Sequence, residues 1–149
     1  MSGHQLAQIN VARLLAPIDA PETADFVAAL GPVNARADRS PGFVWRLQTE
    51  SGDATSVQAF DDPLVIVNLT VWESIEALEA FAYREASHLA VLRRRREWFE
   101  RHTEAPTALW WVPSGHIPSV AEALDRLALL RAEGPSARAF TFRERFPAP

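Results

Sequence analysis

The chain has 149 residues, 48% of them hydrophobic, with a net charge of −4 and a pI near 5.5. That length and composition suit one domain, residues 1–149, with a real core, and the acidic balance argues against nucleic acid or an anionic membrane as partner. With no cysteine present, disulfides, zinc–thiolate sites, iron–sulfur clusters and a cysteine nucleophile are excluded.

The N-terminal MSGHQLAQINVARL has no cationic segment leading into a long apolar run, and no stretch approaches the ~20 apolar residues of a membrane span. A soluble, cytoplasmic protein is expected. QLAQINVARL (5–14) reads as a strand, and PETADFVAALGPVNARADR (21–39) as a helix with Pro21 in its first turn and a break or kink at Gly31-Pro32. GFVWRLQTE (42–50) is a second strand, followed by a polar loop over 51–63. LVIVNLTVW (64–72) carries the strongest strand pattern in the chain. Ser74 is placed to cap a helix running to about Tyr83, and SHLAVLRRRREWFERH (87–102) continues as helix. TALWWVP (107–113) is a strand, and Ser119 and Glu122 form a capping box for a helix ending at Gly134-Pro135. ARAFTFRE (137–144) reads as a short last strand or an arm.

The order of the first six elements predicts an α+β, ferredoxin-like antiparallel sheet with helices on one face, plus an extra C-terminal helix and strand. Alternation in the two central strands gives one aliphatic face (Ala7, Ile9, Val11; Val65, Val67, Leu69, Val71). The other face carries amides (Leu6, Gln8, Asn10; Ile66, Asn68, Thr70, Trp72). A sheet apolar on both sides is usually buried on both. The helices cover one side, and a second subunit is expected to cover the other, making a homodimer with its sheets face to face.

At about 100° per residue, a continuous helix over 87–102 centres its apolar stripe (Val91, Leu92, Trp98, Phe99) on Arg95, with His88 and His102 close to the same direction. An inward guanidinium needs a carboxylate such as Glu50 or Glu85, backbone carbonyls, or an anionic ligand. His88 shares that face with Arg95 and looks onto Gln8, Asn10, Asn68 and Trp72; it reads either as a satisfied core residue or as a base. His102 reads as a helix-end cation. His116, in PSGHIPS, is placed to line a pocket mouth. Phe81, Trp98 and Trp110 read as core aromatics that double as ligand contacts. Trp110 and Trp111 must face opposite sides of their strand. No P-loop, G-x-G-x-x-G, G-x-S-x-G or H-x-x-x-H motif occurs, so no metal site is expected.

TVWESIEALEAFAYREASHLAVL (70–92), through Val71, Trp72, Ser74, Glu76-Ala77, Phe81 and His88, resembles the strand-to-helix stretch of the antibiotic biosynthesis monooxygenase superfamily, the dimeric α+β barrels. RRRREWFE (93–100), ALWWVPSGHIPSVAEALDRLALLRAEGPS (108–136) and AFTFRERFP (139–147) resemble a bacterial domain-of-unknown-function family within it, number 3291. The resemblance covers most of the chain.

The resemblance implies a small-molecule enzyme working by cofactor-independent oxygenation, or related proton transfer, on an aromatic, polyketide-like substrate. Some members use a strand Asn with a Trp four residues on, the spacing of Asn68 and Trp72. In that scheme His88 is the base, Arg95 holds the anion, and Asn68 or Asn10 binds the oxyanion. Haem-degrading members imply an alternative, with His88 as axial ligand and Arg95 or Arg84 on the propionates; Phe81 stands where they carry Trp. A non-catalytic ligand-binding or assembly protein is the third reading.

Overall fold

Two segments rich in Val, Ile and Leu become the centre of the sheet. The computed structural model describes residues 3–48 and 62–149. Strand β1 (His4–Arg13) lies between β3 (Val65–Trp72) and β4 (Thr107–Pro113), antiparallel to both, and β2 (Phe43–Arg46) extends the sheet beyond β3, giving the order β2-β3-β1-β4. Between the strands run α1 (Ala24–Asp38), α2 (Ile75–Arg84), α3 (Ala86–Arg93) and α4 (Arg95–Trp98), and α5 (Val120–Glu133) follows β4. This is the ferredoxin-like β-α-β-β-α-β order with one helix added. The predicted polar loop falls largely outside the described residues, as does Glu50.

Register fixes which side chains share a face. Gln8 pairs with Thr70 and Leu109, and Asn10 with Asn68 and Thr107. The amide face is covered by Ala37 of α1, by Ile75, Leu78 and Phe81 of α2, and by Phe140. A second cluster, Leu14, Phe26 and Trp98, closes its lower end.

The aliphatic face differs from expectation. Ala7, Ile9, Val11, Val67, Leu69, Val71, Ala108, Trp110 and Val112 pack with Ala123, Leu127 and Leu130 of α5. The chain's own last helix therefore supplies cover that was expected from a second subunit. Nor do residues 137–144 form a strand. Phe140 alone exchanges main-chain bonds with Leu109, at 2.8 and 2.9 Å. The chain then curls, because Glu144 donates its amide to Thr141 Oγ1 at 3.0 Å rather than to a neighbouring strand.

The predicted helix over 87–102 is also interrupted. Glu85 is extended (ψ 125°), Arg94 breaks the helix again (φ −99°, ψ 4°), and Phe99 leaves it altogether. Tertiary pairing wins over local propensity here. Leu15 and Glu100 donate to Trp98 O and Arg13 O at 2.8 and 2.9 Å, which ties Phe99 beside Leu14 as an extended segment.

Candidate functional site

The amide face holds a buried polar chain. The indole Nε1 of Trp72 donates to Thr70 Oγ1 at 2.9 Å, and that hydroxyl donates to Gln8 Oε1 at 2.9 Å. All three residues are buried. Beside them, Asn10 Nδ2 donates to Thr107 Oγ1 at 2.6 Å. Asn68 stays exposed although it sits on the helix-covered face. The helix layer is therefore open above it, and among the described residues no hydrogen bond engages its amide.

Four rings wall this belt. Phe43 meets Trp72 edge-on at 5.3 Å, Trp72 stacks on Phe81 at 5.5 Å, and Phe81 lies against His88 at 5.0 Å. His88 is held from two sides. Its backbone amide donates to Glu85 Oε2 at 3.0 Å, and its Nδ1 is 2.7 Å from Ala82 O. A carbonyl only accepts, so Nδ1 carries the proton and the lone pair of a neutral imidazole lies on Nε2. No partner engages Nε2 among the described residues. Burial pushes the His88 pKa below 6.5, against upward pulls from the Ala82 carbonyl and the Glu85 charge, so the ring is neutral at pH 7.

The structure separates residues that the helical stripe put together. Arg95 is exposed and donates Nη1 to Leu92 O at 2.7 Å. The break at Arg94 resets the helical phase, so Arg95 does not share a face with His88, and its inward placement is corrected. His102 lies beyond the helix, exposed, where burial and the charges of Arg131 and Arg95 lower its pKa. Trp98 is buried against Phe26, with the Arg94 guanidinium 4.7 Å from its ring centre. Trp110 is on the opposite, aliphatic face, donating Nε1 to Glu122 Oε2 at 3.0 Å. His116 joins that same carboxylate, Nε2 to Oε1 at 2.7 Å. Burial raises the Glu122 pKa, but the His116 and Trp110 bonds outweigh it and the net shift is downward. Trp110 and His116 thus anchor α5 and are remote from the belt. Of the candidates, Gln8, Trp72, Phe81 and His88 gather at one end of the amide face, with Asn10 and Asn68 further along it.

Arg46 escaped the sequence reading, and Glu85, read there as a possible partner of Arg95, pairs with Arg36 instead. Arg46 faces Thr70 across the β2–β3 pairing, with its side chain 10% exposed and its Nε bonded to Asp38 Oδ1 at 2.8 Å. A bulge between Phe43 and Trp45 lets Phe43 and Arg46 share the amide face, which strict alternation forbids. Glu85, at the α2–α3 break, bonds Ser87 Oγ, the His88 amide and Arg36. Chiefly through the Ser87 hydroxyl, its carboxyl is held below the ordinary range.

A family profile described as "Domain of unknown function (DUF3291)" matches residues 5–149. The chain belongs to the DUF3291 family. No curated protein matches it. A solved structure from Nitrosomonas europaea, provisionally described as an antibiotic biosynthesis monooxygenase, is similar at TM-score 0.51 and 18% identity, over 80% of this chain and 98% of its own. One from Pseudomonas aeruginosa gives 0.50 and 15%, over 78% and 98%. The cofactor-independent oxygenase SnoaB from Streptomyces nogalater gives 0.49 and 17%, over 77% and 98%. The first two show that this DUF3291 chain shares their ferredoxin-like fold.

Described residues line two surface grooves that bear on the candidates. One of about 580 Å³ runs beside α2, past Gly42, Ala77, Phe81, Arg84 and Glu85. The other, of about 590 Å³, lies on α5 and includes Arg131. Neither includes His88. Arg95 is turned to Leu92 O, and Arg84 lines the α2 groove. No group of three or more His, Asp or Glu suited to a metal occurs among the described residues, and no described helix is long and apolar enough to cross a membrane.

Proposed function

We propose that this protein is a small-molecule enzyme that oxygenates a planar, weakly acidic aromatic substrate without a cofactor, using His88 as base. The observation that carries the reading is the neutral imidazole of His88, whose Nδ1–H is fixed on Ala82 O and whose Nε2 has no described partner. Phe81, which lines the groove beside α2 and lies against the His88 ring, suits a flat aromatic face, and the amide of Asn68 is a donor for a developing oxyanion. Arg46 takes the place earlier assigned to Arg95 as the guanidinium of this face.

The chemistry balances with dioxygen as the only co-substrate. Nε2 takes a proton from an acidic ring CH2 beside a conjugated ketone. The carbanion passes an electron to O2, the two radicals combine, and a C–O bond forms. The hydroperoxide's O–O bond then breaks. One oxygen stays as a new carbonyl, and the other leaves as water with the two hydrogens of the original CH2.

The test is oxygen consumption with a hydroxyanthrone. Wild type should consume one O2 per substrate, and His88→Ala should lower turnover by about 10²-fold or more. Equal turnover in both, or no uptake above buffer across a panel of anthrones and phenols, would refute the assignment.

The working unit is proposed to be a homodimer. Val44, Trp45, Leu47 and Val65, on the β2–β3 half, stay only partly buried beside the core. Light scattering at micromolar concentration should give twice the 16.6 kDa chain mass; the mass of one chain would reject the dimer.

A further inference from the structure

We propose that Glu85 is a positioning residue: with Ala82 and Arg36 it forms a cradle at the α2–α3 break that fixes the tautomer and direction of the His88 ring. This rests on the reading of His88 as base, but its geometry is independent of any substrate.

The cradle follows from helix-end chemistry. α2 stops at Arg84, which leaves the carbonyls of its last turn without intrahelical donors. α3 starts at Ala86, which leaves its first amides without acceptors. Glu85 stands between them in extended conformation. Its carboxylate accepts the His88 amide and the Ser87 hydroxyl, while Arg36 from α1 donates to its other oxygen at 3.2 Å. Only with the α3 start held this way does the His88 ring fall back onto the orphan carbonyl of Ala82. A dipole-favoured carboxylate at a helix start is common. Here it also decides which imidazole nitrogen is left with the lone pair. The charge that acts on the ring is that of Glu85, which is itself paired with Arg36 from α1.

The test uses the full chain with 15N-labelled histidine, comparing wild type, Glu85→Gln and Glu85→Ala. Long-range 1H–15N spectra report which nitrogen of His88 carries the proton. In wild type this should be Nδ1. Glu85→Gln keeps the accepting oxygen and the fold but removes the charge that favours imidazolium. It should keep the tautomer and move the His88 titration, and the acidic limb of the pH–rate profile, downward. Glu85→Ala should mix the tautomers and lower kcat by about 10- to 100-fold, with KM little changed. An unmoved titration in Glu85→Gln together with an unmixed tautomer in Glu85→Ala overturns the proposal. Spectra that change as expected in a protein that never consumes oxygen would leave the cradle standing and remove the oxygenase reading instead.

Discussion

Replacing Thr70 by Val tests whether the belt is a completed hydrogen-bond chain. The side chains are nearly isosteric, so packing changes little. The hydroxyl both accepts from Trp72 Nε1 and donates to Gln8 Oε1. Removing it strands two polar groups on residues that are 1% and 6% exposed. Each stranded group costs about 1–3 kcal/mol, so a loss of about 1–5 kcal/mol is expected after the gain of about 1 kcal/mol from the new methyl. Thr70→Ser keeps the hydroxyl and loses one methyl, for about 1 kcal/mol. Urea unfolding followed by tryptophan fluorescence measures both, with the slope unchanged if only the native state is affected. Combining Thr70→Val with Gln8→Leu removes one of the stranded groups, so the double variant should be more stable than the sum of the two single changes. A Thr70→Val protein within about 0.5 kcal/mol of wild type would mean that water satisfies these groups, and the belt would then be wet rather than sealed.

Three further outcomes follow from the geometry. Gly42 has φ +82°, and a Cβ there would sit 2.6 Å from the Ala77 Cβ. Gly42→Ala should therefore cost about 2 kcal/mol or more; adding Ala77→Gly should relieve the clash but leave about 1–2 kcal/mol of backbone strain, both read from urea midpoints. The His88 and His102 pKa values are lowered by folding, so the unfolded chain takes up protons first as pH falls. The histidine contribution to stability should decline below about pH 6.5 and level off under the folded pKa values, and His88→Gln should flatten part of that slope in a pH series of melts. Arg95→Ala should leave the urea midpoint and oxygen uptake unchanged; a tenfold drop in uptake would return Arg95 to the site.

The strands were legible because their signal is local. LVIVNLTVW becomes β3, and its alternation sorts Val67, Leu69 and Val71 from Asn68, Thr70 and Trp72 as expected. The Ser74 cap was equally readable, since a hydroxyl accepting an amide three residues on is a short-range event, here Ala77 N at 3.1 Å. What escaped depends on distant partners. The helical wheel that aimed Arg95 inward assumed one phase from 87 to 102, but the break at Arg94 resets that phase, and Leu14 pulls Phe99 into a bridge that ends the helix early. The capping box at Ser119 is half formed: its hydroxyl accepts the Glu122 amide at 3.1 Å. The Glu122 side chain is drawn to Trp110 and His116 instead, because a buried indole N–H needs an acceptor. Nothing in the periodicity of α5 says which sheet face it will cover. That choice keeps the β1–β4 half of the aliphatic face dry without a partner and leaves the β2–β3 half only partly buried.

On the proposed mechanism His88 serves structure and chemistry through different nitrogens, which makes the two uses separable. Nδ1–H satisfies the Ala82 carbonyl, an ordinary duty at the end of a helix. Nε2 holds the lone pair that a base requires. An asparagine places its amide nitrogen near the position of Nδ1 and offers nothing basic. His88→Asn should therefore keep stability within about 1 kcal/mol of wild type while losing oxygen uptake. His88→Ala should lose both, since the Ala82 carbonyl is then left without its donor. Equal stability losses in the two variants would show that the Ala82 bond does not govern the ring. Normal uptake in His88→Asn would show that the base lies elsewhere on the amide face.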